Sequence, residues 1–315
     1  MKISTPRYDW QSYNFGSISL CMIMRDNADV LPRCLSSVMG LVNEIIIVDT
    51  GSKDNSIKIA ESYGAKILHD PWQDDFARPR NIGLERARGS WVLIMDPDEI
   101  LLPKDHAGIR ILTKSKKSVA YWITTYNYGP YTYKMNYKFV PKGGDPMGRY
   151  QGYTPSTKTR FFKNGLGIKF EGCWHELVDY YIRRNKLAQG SSPIPIHHWT
   201  HEISQKSRKD KSAFYLRMGE KKVQQQPKFG QARWELATAQ MIAGLRKEAS
   251  HSLAEAWRLG FNVVEQYYSL SRCQRLLNNK EKADLAFEKG VCAQYNSLTH
   301  IDPEKKPMKA LIDGL

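Results

Sequence analysis

The stretch WVLIMDPDEIL, residues 91–101, runs apolar for five positions and then sets Asp96, Asp98 and Glu99 within four. An apolar run ended by carboxylates is what a buried strand looks like when its carboxyl end is presented to a ligand. The residues on its amino-terminal side repeat that design. SISLCMIM (17–24), EIIIVD (44–49) and AKILHD (65–70) read as strands, and SWVLIMD (90–96) as a fourth. Between them ADVLPRCLSSVMGL (28–41), KDNSIKIAESYG (53–64) and DDFARPRNIGLERARG (74–89) carry helical spacing, the last two closed by Gly64 and Gly89. Strand and helix in alternation predict a doubly wound parallel sheet. Ligands of such sheets sit beyond the carboxyl ends of the strands, where Asp49 and Asp96 stand.

From residue 118 to about 196 the pattern changes to short strands, turns and many tyrosines, as in YWITTYNYGPYTYKMNYKF (121–139), with Gly/Pro punctuation in PKGGDPMG (141–148). This part reads as an antiparallel or loop-rich half that closes one side of the site. KTRFFKNG (158–165) and IKFEGCWHELVDYYI (168–182) read as strands or strand edges, carrying Arg160 and the pair His175 and Glu176. After residue 199 the chain turns helical and strongly charged. Leu236 and Leu270, Ala239 and Cys273, Gly244 and Asn278, Ala249 and Ala283, and Leu253 and Phe287 share one separation. It is about 34 residues, the tetratricopeptide period. The expected division is a tail at 1–16, an α/β domain at 17–203 and a helical, tetratricopeptide-like extension at 204–315.

The chain has 315 residues, 41% of them hydrophobic, enough to bury a sizeable core. It has no apolar run of about 18 residues, and its first 16 lack the apolar centre of a signal peptide, so a cytoplasmic protein is expected. The five cysteines are odd in number, show no C-x-x-C spacing and read as reduced core thiols. Forty-seven Lys+Arg against 32 Asp+Glu leave +15, a field that favours anionic partners. The basic residues are scattered and no nucleic-acid motif accompanies them, so no specific nucleic acid is expected. A G-x-x-x-x-G-K-[ST] loop is absent, and MRDNADVLP (24–32) follows the first strand where a sugar nucleotidyltransferase would carry a glycine-rich loop.

Asp96-Pro97-Asp98 lies where a strand end turns into a loop, so its two carboxylates can converge on one cation. Mg²⁺ or Mn²⁺ takes carboxylates together with phosphate oxygens of a substrate, and a diphosphate would complete the shell.

ISLCMIMRDNADVLPRCLSSV, EIIIVDTGSKDNSIKIA, DDFARPRNIGLERARGSWVLIMDPDE and GCWHELV, in order, resemble family 2 glycosyltransferases. More narrowly they resemble the bacterial branch of lipopolysaccharide-core glucosyltransferase-like proteins and peptide S-glycosyltransferases, whose members often carry C-terminal tetratricopeptide repeats. The likeness implies the GT-A nucleotide-diphospho-sugar transferase fold with its Rossmann-like sheet, and a helical extension. It implies inverting transfer of a hexose from a nucleotide sugar, a UDP-sugar such as UDP-glucose above all. Asp49 then matches the aspartate that recognises the uracil edge, with capping of the following helix as the alternative, and Asp54 is the weaker of the two. Arg80 and Asn81 match the R-N element facing the diphosphate, although Pro79 replaces the usual small residue and threatens to kink the helix. Asp98 is the expected metal ligand, Asp96 touches ribose or the metal's water, and Glu99 supports them.

His175 and Glu176 match the family's H-E. Glu176 can be the general base on the acceptor side, and His175 can join the metal or hold the diphosphate. His197 and His198 both match a later family histidine, a further metal or phosphate contact, and the sequence does not choose between them. Arg160 either buttresses the site or touches ligand. Expected partners are the nucleotide sugar and a saccharide, glycolipid or peptide acceptor. Peripheral association at the inner membrane face and homodimerisation stay open, as does an inactive helical-repeat binding protein.

Overall fold

A computed structural model of the chain describes residues 15–130, 137–140, 145–199, 205–261 and 264–299. The chain divides into two compact units, Met1–Glu202 and Ile203–Leu315.

In the first unit β1 (Ile18–Met24), β2 (Glu44–Asp49), β3 (Lys66–His69) and β4 (Trp91–Ile94) are parallel and lie in the order β3-β2-β1-β4. Helices α1 (Leu31–Val38), α2 (Ser56–Ser62) and α3 (Ala77–Arg86) connect them. The apolar runs follow from burial on both faces. Leu20, Met22, Ile45 and Ile47 pack with Leu31 and Leu35 of α1, while Cys21, Ile46, Val92 and Ile94 pack on the opposite face with Ala77 of α3. Gly89 is required by close approach, since a Cβ there would stand 2.7 Å from the Ser19 backbone nitrogen.

After β4 come β5 (Glu99–Ile100), a 3-10 turn at Pro103–Asp105, α4 (His106–Leu112), β6 (Ala120–Tyr128), β7 (Lys138–Phe139) and β8 (Gly152–Lys163). They are followed by α5 (Asp179–Arg184), β9 (Gln189–Ser191) and β10 (Ile196–Trp199). The sheet continues β4-β8-β6-β10-β5, with β8 antiparallel to both β4 and β6. Only residues 95–98 separate β4 from β5, yet the two stand at opposite ends of that path. The sheet therefore curls back on itself, and Asp96 and Asp98 sit in the seam.

This half departs from expectation in two ways. Strands β6 and β8 have 9 and 12 residues and are not short. Residues 179–182, expected in a strand edge, lie in α5. Asp179 opens that helix and accepts hydrogen bonds from Trp122 Nε1 and Thr159 Oγ1, which fix it across the sheet. The expected kink at Pro79 is absent as well, because Pro79 falls in the first turn of α3, where a missing N–H costs nothing.

The second unit is helical, with α6 (Gln205–Gln225), α7 (Gly230–Ala243), α8 (Arg246–Arg258), α9 (Val264–Leu276) and α10 (Lys280–Thr299), each packed on the next. The repeat is visible in equivalent environments. Leu236 and Leu270 are buried, as are Ala239 and Cys273 and, in the next helices, Ala249 and Ala283. Gly244 and Asn278 both end a helix with positive φ, 81° and 60°. The fifth pair breaks the pattern. Leu253 is 1% exposed beneath its neighbours, whereas Phe287 on α10 is 47% exposed. Of the five cysteines, Cys21, Cys34, Cys173 and Cys273 are free and buried, as read, and the side chain of Cys292 lies outside the described residues.

Candidate active site

Asp49 ends β2 and is 3% exposed. Its carboxylate accepts hydrogen bonds from the backbone N–H of Gly51 and Ser52 at 3.0 and 3.2 Å, and so shapes the turn after the strand. Asp54 is exposed and accepts from Ser56 N at 2.9 Å and Ala28 N at 3.0 Å. The Ser56 hydroxyl and these amides hold its carboxyl below the usual range. Asp54 is thus engaged in local loop geometry at the start of α2.

The seam gathers more charge. Arg80 of α3 donates from Nε to Glu176 Oε1 at 2.6 Å and from Nη2 to Asp96 Oδ1 at 2.8 Å. Arg160 donates to both oxygens of Glu99, at 2.8 and 3.0 Å, and stands 3.6 Å from Asp96 Oδ2. Burial opposes these charges, but mutual attraction wins. Both guanidiniums are pushed above the ordinary arginine range, and the Asp96 carboxyl is held far below its own. Glu99 is 3% exposed, its carboxyl raised by burial against the pull of Arg160. It also accepts the backbone N–H of Asp96 at 2.7 Å, which fixes the loop holding both aspartates. Asp96, expected to touch ribose or metal, has its carboxylate engaged by two arginines.

Arg160 owes its position to a register break. Tyr121 pairs with Phe161 and Trp122 with Thr159, so Arg160 is the extra residue of a β-bulge. Bulges bend the strand and re-aim a side chain, here toward the seam.

Asp98 and His198 form the second cluster. The Asp98 Oδ2 to His198 Nε2 distance is 3.2 Å. On its other side His198 Nδ1 meets Asn127 Oδ1 at 2.8 Å, and Asn127 Nδ2 donates to Thr154 O at 2.9 Å. The amide oxygen must therefore face the imidazole, which makes Nδ1 the donor and turns Nε2 toward Asp98. Two electron pairs 3.2 Å apart need a proton or a cation between them. In the protein alone a proton suffices: burial lowers the imidazole pKa, but the hydrogen bond and charge of Asp98 outweigh it and raise the value. Alternation along β10 sends His197 the other way. It is buried against Tyr128, whose hydroxyl is 3.0 Å from Nδ1, and burial lowers its pKa to about 4. Of the two histidines left open by the sequence, His198 meets Asp98 and His197 joins the aromatic packing.

Among the described residues no three His, Cys, Asp or Glu side chains gather into a metal cluster. One carboxylate and one imidazole nonetheless fit a Mg²⁺ or Mn²⁺ ion that takes its remaining ligands from water and substrate phosphates.

Glu176 arrives on a tight loop closed by the backbone pair Glu171 and Leu177. Three hydrogen bonds pin that loop to the start of α3. Phe76 N donates to Cys173 O at 2.9 Å, and Asn81 brackets Phe170 by donating to its carbonyl at 3.0 Å and accepting its N–H at 2.8 Å. Both polar atoms of the Asn81 amide are thereby engaged with the Phe170 backbone. His175 adopts φ of +49° and is exposed, its ring 4.2 Å from that of Trp174. Glu176 Oε1 is held by Arg80, and among the described residues Oε2 makes no hydrogen bond.

Sequence reasoning missed Asn127 and Lys158. Asn127 has no motif of its own and is marked only by its pairing with His198 across β6 and β10. Lys158 precedes Arg160 by two positions and lines the cavity between Arg80, Asp96 and Glu176.

Residues 19–199, more than half of the chain, match the model of the family described as Glycosyl transferase family 2. The chain belongs to that family. A TPR repeat-containing protein of Synechococcus elongatus is 36% identical over 164 residues, 52% of this chain and 36% of the relative. The SPbeta prophage-derived glycosyltransferase SunS of Bacillus subtilis is 24% identical over 178 residues, 56% of this chain and 38% of the relative. The chain spans under two fifths of the length of these relatives. Among solved structures, Staphylococcus aureus TarS 1–349 in complex with UDP-GlcNAc aligns with a TM-score of 0.48 at 14% identity, covering 87% of this chain and 92% of that one. The α/β sheet, the family and the helical region agree with the GT-A class expected from the sequence.

Proposed function

We propose that the chain is a divalent-metal-dependent glycosyltransferase that moves a hexose from a nucleotide sugar, with a UDP-sugar such as UDP-glucose as donor, to a saccharide or glycolipid acceptor. The observation that carries this reading is the seam itself, with Asp98 facing His198 at 3.2 Å beside Arg80, which bridges Asp96 and Glu176. Asp49 takes the uracil edge, and Arg80 and Asp96 flank the diphosphate and ribose. Asp98 and His198 would hold Mn²⁺ or Mg²⁺, which when bound supplies positive charge to the departing diphosphate. Glu176 Oε2 takes the proton of the acceptor hydroxyl. The acceptor oxygen forms a bond to the anomeric carbon from the opposite face, and the bond to the diphosphate oxygen breaks with its electron pair, inverting the centre. Arg80 then has two duties: it orients Glu176 and meets the charge that develops on the leaving group.

His175 stands next to the base on a left-handed backbone, a strained arrangement often found at working sites. Among the described residues no helix is long and apolar enough to cross a membrane. A cytoplasmic enzyme, peripheral at the membrane when its acceptor is a lipid, is compatible with that. A peptide or protein acceptor is the second reading, favoured by the repeated hairpins with matched left-handed ends at Gly244 and Asn278.

The test is calorimetric titration with UDP-, GDP- and dTDP-sugars, with and without Mn²⁺. Metal-dependent binding of one donor supports the reading. Binding of none overturns it.

A further inference from the structure

Among the described residues, the ion pairs of the seam do not include Lys158. Arg80 is shared between Asp96 and Glu176, and Arg160 between Glu99 and Asp96, so both guanidiniums have their charge matched by carboxylates. Lys158 lines the same cavity as Arg80, Asp96, Phe170 and Glu176, yet makes no hydrogen bond or ion pair among the described residues. The residue as a whole is exposed, although the surrounding protein partly desolvates its ammonium. Burial of the ammonium and the neighbouring Arg160 lower its pKa, while Asp96, Glu176 and Glu99 pull it upward from beyond bonding distance. An ammonium with three unused donors, held near carboxylates that are already spoken for, is a site for an anion brought from outside.

Sheet order says which anion. Asp49 ends β2, Asp96 follows β4, and β8 lies one strand further on. With strands about 4.8 Å apart, Lys158 is roughly 14 Å of sheet from the Asp49 strand, on the far side of the carboxylates from the nucleotide end. The carboxylates that act on it are Asp96, Glu176 and Glu99, and not Asp98.

We propose that Lys158 is the acceptor-side anion contact, receiving a phosphate or carboxylate carried by the acceptor next to the hydroxyl that Glu176 activates. The inference rests on the transferase reading of the site and narrows its acceptor to an anionic saccharide or lipid. A neutral acceptor would leave the ammonium to water alone, and specificity arises because only the anionic one satisfies it.

The test uses the full chain, inorganic phosphate as probe and glycerol as neutral control, titrated with and without saturating UDP and Mg²⁺. The wild type, Lys158→Gln and Lys158→Arg are compared. The expected result is phosphate binding to the UDP complex that weakens about tenfold or more in Lys158→Gln and is largely restored in Lys158→Arg, with UDP affinity unchanged in all three. Phosphate binding of equal strength in Lys158→Gln, or none in the wild type, overturns the proposal. So does a parallel loss of UDP affinity in Lys158→Gln, which would assign the ammonium to the leaving diphosphate. If UDP binds to none of the proteins, the transferase reading fails separately, and the titrations without UDP still decide on Lys158: binding lost in Lys158→Gln sustains the anion contact, and binding retained removes it.

Discussion

Each unit of the chain buries charge, to different ends. In the α/β unit Arg80, Asp96, Arg160, Glu99 and Glu176 form a chain of ion pairs along a seam where Asp96 is still 33% exposed. Between α6 and α7 Lys222 meets Glu235 at 2.6 Å, with side chains 0% and 3% exposed, and Gln231 donates to the second carboxylate oxygen at 2.9 Å. The helical pair is sealed, and its ions answer each other. The seam is open, and among the described residues Lys158 and Glu176 Oε2 have no bonded partner. Burial of charge alone does not mark a site; unmatched groups at an opening do.

That contrast is broken most sharply by exchanging the two glutamates' fates. Glu176→Gln is expected to slow sugar transfer by about 10²- to 10⁴-fold while leaving UDP affinity within about twofold, read by single-turnover kinetics and calorimetry. Comparable transfer by Glu176→Gln would remove it as the base. Lys222→Ala leaves Glu235 buried without its ammonium partner and is expected to cost about 3–5 kcal/mol in a denaturant titration. The double change Lys222→Met with Glu235→Leu is expected to recover most of that loss. If the single change costs under about 1 kcal/mol, the pair is wetter than its burial indicates.

The repeat offers a gentler comparison. Leu253→Ala empties a packed position and should destabilise by about 2–5 kcal/mol, whereas Phe287→Ala, its equivalent one period later, should stay within about 0.5 kcal/mol. Equal effects would mean that Phe287 is covered in solution.

The smallest effect concerns acid. Asp145 accepts the N–H groups of Met147, Arg149 and Tyr150 and Trp199 Nε1, all at 2.8–2.9 Å. Burial opposes its charge, but these bonds prevail and hold its carboxyl below the usual aspartate range. A lowered folded value means stability present above about pH 4 and lost as pH falls through it. Near-ultraviolet dichroism of Trp199 should therefore change below pH 4 in the wild type. In Asp145→Asn the change should already be present at neutral pH.

What the sequence made legible is the part in which local pattern and fold coincide. β1 to β4 are buried on both faces, so their apolar runs show them directly, and Asp49 and Asp96 follow because strand ends are visible as polarity breaks. The seam was half legible. Asp98, Arg80 and Glu176 were marked by motif. Arg160 depended on a bulge between β6 and β8, and Asn127 on the register of β10 against β6, neither of which leaves a local trace. The choice between His197 and His198 needed only the alternation of one strand, but its phase is set by Tyr128 and Asp98, which are distant in sequence. Residues 179–182 misled because their helix is fixed by Trp122 and Thr159 rather than by its own spacing.

In the proposed site Asp98 and His198 would hold a divalent ion that in turn holds a nucleotide diphosphate. Calorimetric titration of the wild type and Asp98→Asn with UDP, each with and without Mn²⁺, tests it most directly. UDP binding is expected to strengthen with Mn²⁺ in the wild type and to be insensitive to Mn²⁺ in Asp98→Asn, at an unchanged melting temperature. Equal, Mn²⁺-dependent UDP affinity in both proteins would contradict it.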